Sequence, residues 1–266
     1  PTDLSTKFTQ SSNLVSWFSW NQNSQTASAI TIGKTGNSAG LTIDSALTAN
    51  GPITLYGGDV NVNTNLTSTN SGSAIAVNGT GKITVAASTS LQTSSGDISL
   101  LSSVAGGTAG GIVLNSGGAL RSFGGNITLG GGFTGTQGTG LYAATANAPG
   151  VLMASNTIDA GGGNINIYGR NTATYDDGVR INGSTITTSG TGAIGIYGDA
   201  FGGNNGSQVF GGITFDATAA KIETNQGNIT LGAYLTNTQS NSTAALNFYR
   251  TAGAAGQTRH IQILSR

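Results

Sequence analysis

The chain has 266 residues, and only 8% of them are charged where about 25% is usual for soluble globular domains, so an ordinary charged globular surface is excluded. Ten basic and ten acidic side chains cancel to a formal charge of zero without forming a basic stripe; nothing neutralises phosphates, and nucleic acid is not an expected partner. Forty-four glycines suggest a disordered linker, but Ile, Val and Leu recur throughout in regular alternation, which linkers lack.

In chain order, residues 1–28 carry no strand pattern and hold both tryptophans, in Trp17-Phe18-Ser19-Trp20. They read as an N-terminal arm or cap that shields an open sheet edge or packs on a neighbouring subunit. The sequence opens on Pro1 without an initiator Met or a signal-like stretch, so a processed product or a fragment is expected. No apolar run approaches the roughly 18 residues of a membrane-spanning helix.

From residue 29 onward, apolar–polar–apolar triplets follow one another: Ile30-Thr31-Ile32, Leu41-Thr42-Ile43, Ile53-Thr54-Leu55, Val60-Asn61-Val62, Ile75-Ala76-Val77 and Ile83-Thr84-Val85. A stricter form then appears, a Gly, usually Asn or Asp, and the triplet. It occurs as Gly96-Asp97-Ile98-Ser99-Leu100, Gly125-Asn126-Ile127-Thr128-Leu129, Gly163-Asn164-Ile165-Asn166-Ile167, Gly192-Ala193-Ile194-Gly195-Ile196 and Gly227-Asn228-Ile229-Thr230-Leu231. Ile261-Gln262-Ile263 reads as the start of a sixth unit, and the unit length comes to roughly thirty residues with variable insertions. Within a unit two further short strands recur, such as Val179-Arg180-Ile181-Asn182 and Thr185-Ile186-Thr187-Thr188, with turns at Asp177-Gly178, Asn182-Gly183 and Ser189-Gly190.

Three short strands per unit, each bounded by Gly or Asn, predict a coil with three sides. The pleat turns both apolar residues of a triplet inward and the middle residue outward. One coil cannot bury its apolar strip alone, so coils must stack. The fold class expected is all-β: a right-handed parallel β-helix, or solenoid, of about eight coils over residues 29–266, a rod on the order of 40 Å long at about 4.8 Å per coil. Glycine is expected at corners that need positive φ, and corner Asn side chains are expected to form hydrogen-bond ladders between coils.

The units around Asn126-Ile127-Thr128-Leu129, Asn164-Ile165-Asn166-Ile167 and Asn228-Ile229-Thr230-Leu231 resemble the repeat region of filamentous-haemagglutinin-like bacterial exoproteins, over roughly residues 30–264. The resemblance implies a right-handed parallel β-helix, export to the bacterial cell surface or exterior, and roles in adhesion, aggregation or biofilm. The chain has nothing like the Asn-Pro-Asn-Gly motif of the secretion domain that opens such proteins.

No catalytic, cofactor-binding or metal-binding set is expected. There is no cysteine, which removes disulfides and thiolate metal sites. His260, the one histidine, reads as a solvated turn residue. Asp176-Asp177 with Arg170 and Arg180 nearby is the one cluster of acids and bases, a substrate or calcium site in its sharper reading and an Asp-Gly turn in its plainer one. Gly33-Lys34-Thr35 imitates the end of a phosphate loop, but Ser28 stands where the leading Gly belongs, so a turn is predicted.

Two surface features remain as candidate contacts. Tyr168 and Tyr197 follow the triplet at the same place in consecutive coils, with Tyr56 placed similarly earlier, and outward tyrosines in register suit the faces of sugar rings. The second is a small polar outward column of Ser99, Thr128, Asn166, Gly195, Thr230 and Gln262. The terminal strand Ile261–Leu264 and the aromatic residues Trp17, Phe18 and Trp20 are candidates for end-to-end contact, through Ile261 and Ile263 on one side. The expected function is thus an extracellular structural or adhesive scaffold, either a segment of a larger surface protein or a subunit stacking into a filament. Its expected partners are itself, the rest of a longer chain, or host and cell-surface glycans. The alternative is a carbohydrate-binding or carbohydrate-active β-helix protein.

Overall fold

A computed structural model describes residues 27–108, 110–134, 141–146, 148–173, 176–201, 210–216, 219–235, 246–248 and 261–265. Trp17, Phe18, Trp20 and His260 lie outside the described residues, as does most of the predicted arm. Among the described residues there is no helix; strands form three sheets of 10, 8 and 8 members, parallel except for one short antiparallel pair, Phe133–Thr134 with Leu141–Thr145. Each of the eight coils contributes one strand to each sheet, so the polypeptide winds as a three-sided parallel β-helix.

The first sheet holds the repeat triplets, and its register links Ile30, Ile53, Ile75, Ile98, Ile127, Ile165, Ile194 and Ile229 in one column. The second sheet runs from Leu41–Ile43 to Leu246–Phe248, and the third from Leu47–Ala49 to Ile261–Ser265. Early coils advance about 23 residues, shorter than the predicted thirty, because their corners carry no insertions. The last triplet corrects the predicted periodicity: Ile261-Gln262-Ile263 pairs with Ala220-Lys221-Ile222, so it closes the eighth coil on the third sheet and does not open a ninth. Gln262 therefore leaves the predicted outward column, which Thr230 continues by pairing with Gly195. The alternating pattern is the same on all three sheets, and only register can distinguish them.

The core is three such columns meeting inside the coil. Ile53, Ile75, Ile98, Ile127, Ile165 and Ile194 are at most 1% exposed, as are Val60, Ile83, Ile112 and Val151 of the second sheet and Leu66, Leu91, Leu120 and Ile158 of the third. Burying each of these side chains contributes roughly 1.5–3 kcal/mol.

Glycine before the triplet has a reason other than the predicted positive φ. Gly96, Gly125, Gly163, Gly192 and Gly227 have ordinary φ, yet a Cβ on any of them would run into the backbone of the preceding coil, at 2.1 Å from Gly96 O for Gly125 and 2.1 Å from Gly125 O for Gly163. The column exists because the corner brings backbone onto backbone. Positive φ is reserved for other corners, for example Gly33, Gly72 and Gly190. The turn predicted at Gly33-Lys34-Thr35 is present, closed by the Asn37 N–H donating to Lys34 O.

The predicted corner ladder is also present. Asp97 Oδ1 accepts from the Asn126 N–H (2.7 Å), Asn126 Oδ1 from the Asn164 N–H (2.9 Å), and Asn164 Oδ1 from the Ala193 N–H (2.9 Å). Each side chain thus satisfies a backbone donor of the next coil. Ala193 has no side-chain acceptor with which to continue the series.

On the inner side of the same corner runs a hydroxyl column that the apolar pattern conceals. Thr93 Oγ1 donates to Gly96 O (2.6 Å), Thr224 Oγ1 to Gly227 O (2.7 Å), and Ser122 Oγ to Gly125 O. All three residues are at most 2% exposed. The fifth coil has Ala160 at this position, and Thr188 of the sixth coil reaches back to Gly163 O instead (2.6 Å). These hydroxyls satisfy the carbonyls of the packed glycines, which would otherwise be buried at a cost of about 1–3 kcal/mol each.

Ile165→Asp places a carboxylate in the closed interior and is expected to unfold the protein, whereas Asn166→Ala, one residue away on the outward face, is expected to stay within about 0.5 kcal/mol of wild type. Urea denaturation followed by circular dichroism measures both; equal losses would contradict the assignment of faces.

Candidate functional site

The fifth coil carries the feature that shapes the outer surface. After Ile127–Gly131 the chain leaves the coil, forms a short antiparallel pair with Phe133 opposite Tyr142, and returns as Leu141–Thr145. That returning strand joins the first sheet beside the second half of Ile165–Asn171, with Ala143 opposite Gly169, while Ile127–Leu129 lies beside the first half. The sheet is widened outward at this level, and the strands Ile165–Asn171, Ile194–Ala200 and Ile229–Leu235 each extend to seven residues.

On the outer face of this widened region the aromatic residues converge. Tyr168 and Tyr197 occupy register-paired positions, as predicted, and their rings stack with centroids 5.1 Å apart and planes 9° apart. Tyr142 meets Tyr168 edge-on at 5.8 Å and 72°. Two outward glycines make room for the stack: a Cβ on Gly195 would lie 2.8 Å, and one on Gly232 2.7 Å, from ring carbons of Tyr197. This explains why a Gly stands at the centre of the Ile194-Gly195-Ile196 triplet where other coils have Ser, Thr or Asn.

The tyrosine stack is consequently half-buried and packed on itself, with ring faces turned toward protein. Tyr56 shares its column but is separated from it by Asn78, Leu101 and Gly130, so it does not join the stack. It lines instead a small cleft of about 80 Å³ with Lys34, Asn37, Asn78, Thr80 and Val104. The polar walls of that cleft are tied to one another: Asn37 Nδ2 donates to Tyr56 O (3.1 Å), Thr80 Oγ1 to Asn37 O (3.3 Å) and Asn78 Nδ2 to Leu55 O (3.4 Å).

The charged residues beside the stack are arranged as structural pairs. Arg170 is opposite Asp199 in register, with Nη1 3.4 Å from Oδ2, and its guanidinium carbon lies 4.8 Å from the centre of the Phe133 ring. Arg180 Nε donates to Asp177 Oδ2 at 2.8 Å, while Asp177 Oδ1 accepts from the Gly211 N–H (2.8 Å) and from Thr214 Oγ1. The predicted Asp176-Asp177-Arg170-Arg180 cluster is thereby divided: Arg180 serves Asp177 and Arg170 serves Asp199, on different sheets. Asp177 is completely enclosed. Burial raises its carboxyl above the usual carboxylate range against the lowering pull of Arg180 and of the Thr214 and Gly211 hydrogen bonds, and burial likewise raises Asp176.

Chemically, this surface offers ring edges and phenolic hydroxyls. A glycosidase needs two carboxyl groups facing one sugar, and the carboxylates of Asp177 and Asp199 have no exposed surface. Among the described residues no group of three or more His, Cys, Asp or Glu converges on a point where a metal ion would sit. The residues that sequence reasoning missed are Tyr142, Arg170 as the partner of Asp199, and the exposed Phe123. Tyr142 is brought to Tyr168 only by the returning strand, which has no triplet signature; Arg170 meets Asp199 through the register of Ile165–Asn171 with Ile194–Ala200, and Phe123 is a large apolar residue inside the turn sequence Ser122-Phe123-Gly124-Gly125. Comparisons of the chain with protein-family models, with curated proteins and with solved structures return no match.

Burial pushes the Tyr142 phenol up to about 12, with the Asp199 carboxylate adding to the shift. The folded state thus holds this proton more tightly than the unfolded chain, whose phenol titrates at its ordinary value of about 10. The resulting stabilisation is complete below pH 10 and is lost as pH rises toward 12. Thermal unfolding across this range should show a fall in Tm that is smaller in Tyr142→Phe; an unchanged slope in the variant would contradict the burial of Tyr142.

Proposed function

We propose that this chain is a structural and adhesive β-solenoid of the bacterial cell surface or exterior, either a segment of a larger exoprotein or a subunit that stacks end to end. The observation that carries the reading is where the polar groups are used. Corner carboxamides, the buried hydroxyls of Thr93, Ser122 and Thr188 and the Asp177 carboxylate bond from one coil to another, which serves a rod, and among the described residues no acid–base set converges. The resemblance of the Gly-Asn-Ile-Thr-Leu units to filamentous-haemagglutinin-like repeats supports the same reading.

A parallel stack is extensible by construction. Among the described residues Ile30–Ile32 and Ile229–Leu235 are hydrogen-bonded to a neighbouring strand on one side only, and such edges accept further strands. Further coils of a longer chain or a second copy would both fit, the latter giving a heterologous contact that propagates as a filament. The second reading, a carbohydrate-binding protein on this fold, is favoured by one exposed aromatic side chain taken up below.

Negative-stain electron microscopy over a range of concentrations should show rods on the order of 40 Å long or unbranched filaments built from them. Trp17→Ala and Trp20→Ala should shorten any filaments. Compact particles without a long axis, together with beads coated in the protein that fail to adhere to bacterial or epithelial cells, would contradict the proposal.

A further inference from the structure

Among the described residues Phe123 alone combines a large exposed apolar side chain with a positive φ. It has φ of 50°, the left-handed region that a bulky side chain rarely adopts. It is also 52% exposed, so its ring gains little from packing. A strained backbone that presents an apolar ring to water costs stability twice, and residues held in this way cluster at functional positions. At this corner the Phe123 backbone lies against Ser95 of the coil below and Gly161 of the coil above.

The neighbouring coils hold the strained residue in place from both sides. Ser95 Oγ donates to Phe123 O (3.1 Å), and the Gly124 N–H donates to Ala160 O (2.6 Å). On the coil above, a Cβ on Gly161 would sit 3.0 Å from Phe123 Cα, so a glycine is what allows that coil to pass while leaving the ring's flank clear. The ring is therefore half-exposed between the small shoulders of Ser95 and Gly161, beside the complementary Arg121 and Asp159, whose Oδ1 accepts from the Gly161 N–H (2.9 Å). Three residues further along the same corner runs the exposed ladder of Asp97, Asn126 and Asn164, a row of carboxamide and carboxylate groups repeating at the coil spacing.

We propose that Phe123 is the contact site for a neutral polysaccharide, the ring packing against the C–H face of one sugar and the ladder side chains hydrogen-bonding hydroxyls of its neighbours. An aromatic face beside amides and hydroxyls, on a corner without an excess of either charge, matches a polymer of uncharged sugars better than a charged or purely apolar partner. This moves the expected glycan contact from Tyr168 and Tyr197, whose ring faces are stacked on each other. The inference rests on the adhesive part of the proposal above.

The test uses the full chain, Phe123→Gly and Phe123→Trp in affinity electrophoresis through gels containing amylose, laminarin or hydroxyethyl cellulose. Glycine accepts the observed φ, so Phe123→Gly is expected to fold with unchanged or higher Tm. Wild type should be retarded by at least one polysaccharide, Phe123→Gly should bind it at least tenfold more weakly, and Phe123→Trp should retain it. Equal retardation of wild type and Phe123→Gly would overturn the site while leaving adhesion standing, and no retardation of wild type by any of the three would overturn the glycan reading itself. Loss of self-association in Phe123→Gly by sedimentation velocity, with retardation unchanged, would overturn it in favour of a second copy as the partner.

Discussion

Everything in this molecule is subject to one constraint: parallel strands in register set each residue about 4.8 Å from its counterpart in the next coil. A column is therefore a single environment repeated, and a side chain must be compatible with a close copy of itself above and below. Isoleucine satisfies this in the core because identical branched side chains nest along the axis. Glycine satisfies it before each triplet because there the corner brings successive backbones into contact. Asparagine satisfies it beside that glycine because its carbonyl reaches the N–H of the next copy. The scarcity of charge has the same origin, since like charges at this separation repel along a whole column. Where charges do stand opposite in register they are complementary, Arg121 with Asp159 and Arg170 with Asp199.

Departures from the column rule occur together. The fifth coil, whose inserted strand widens the first sheet, also lacks the corner hydroxyl at Ala160 and carries Gly161 over Phe123. Its neighbours compensate: Thr188 reaches across for the missing hydroxyl, and Gly195 and Gly232 lower the surface for the ring of Tyr197. The edge-on contact of Tyr142 with Tyr168 and the packing of Phe133 against Arg170 both depend on this one insertion, so the middle of the rod is where its outer surface becomes individual.

Much of the architecture is legible in the sequence because a strand period of two and a recurrent Gly-Asn pair are local signals. The triplets, the inward Ile residues, the Asn ladder and the pairing of Tyr168 with Tyr197 all follow from them. Assignment of a triplet to a sheet is not local: every side carries the same alternation, so the pattern of Ile261-Gln262-Ile263 does not distinguish the first sheet from the third, to which it belongs. The buried hydroxyls are hidden for a related reason: Thr93, Ser122 and Thr224 look like outward polar residues, and only the Gly three positions later indicates that they face a packed corner. The surroundings of Phe123 were beyond reach, since they depend on which residues of the third and fifth coils lie beside it.

The most direct test of the packed-corner account compares two glycines by chemical denaturation. Gly125→Ala would place a methyl group 2.1 Å from Gly96 O, whereas Gly107→Ala meets nothing within 4 Å and has no positive φ. The account predicts that Gly125→Ala loses roughly 3 kcal/mol and that Gly107→Ala stays within about 0.5 kcal/mol of wild type. Equal stability of the two variants would contradict it, because the glycine column would then reflect something other than the contact of one coil's backbone with the next.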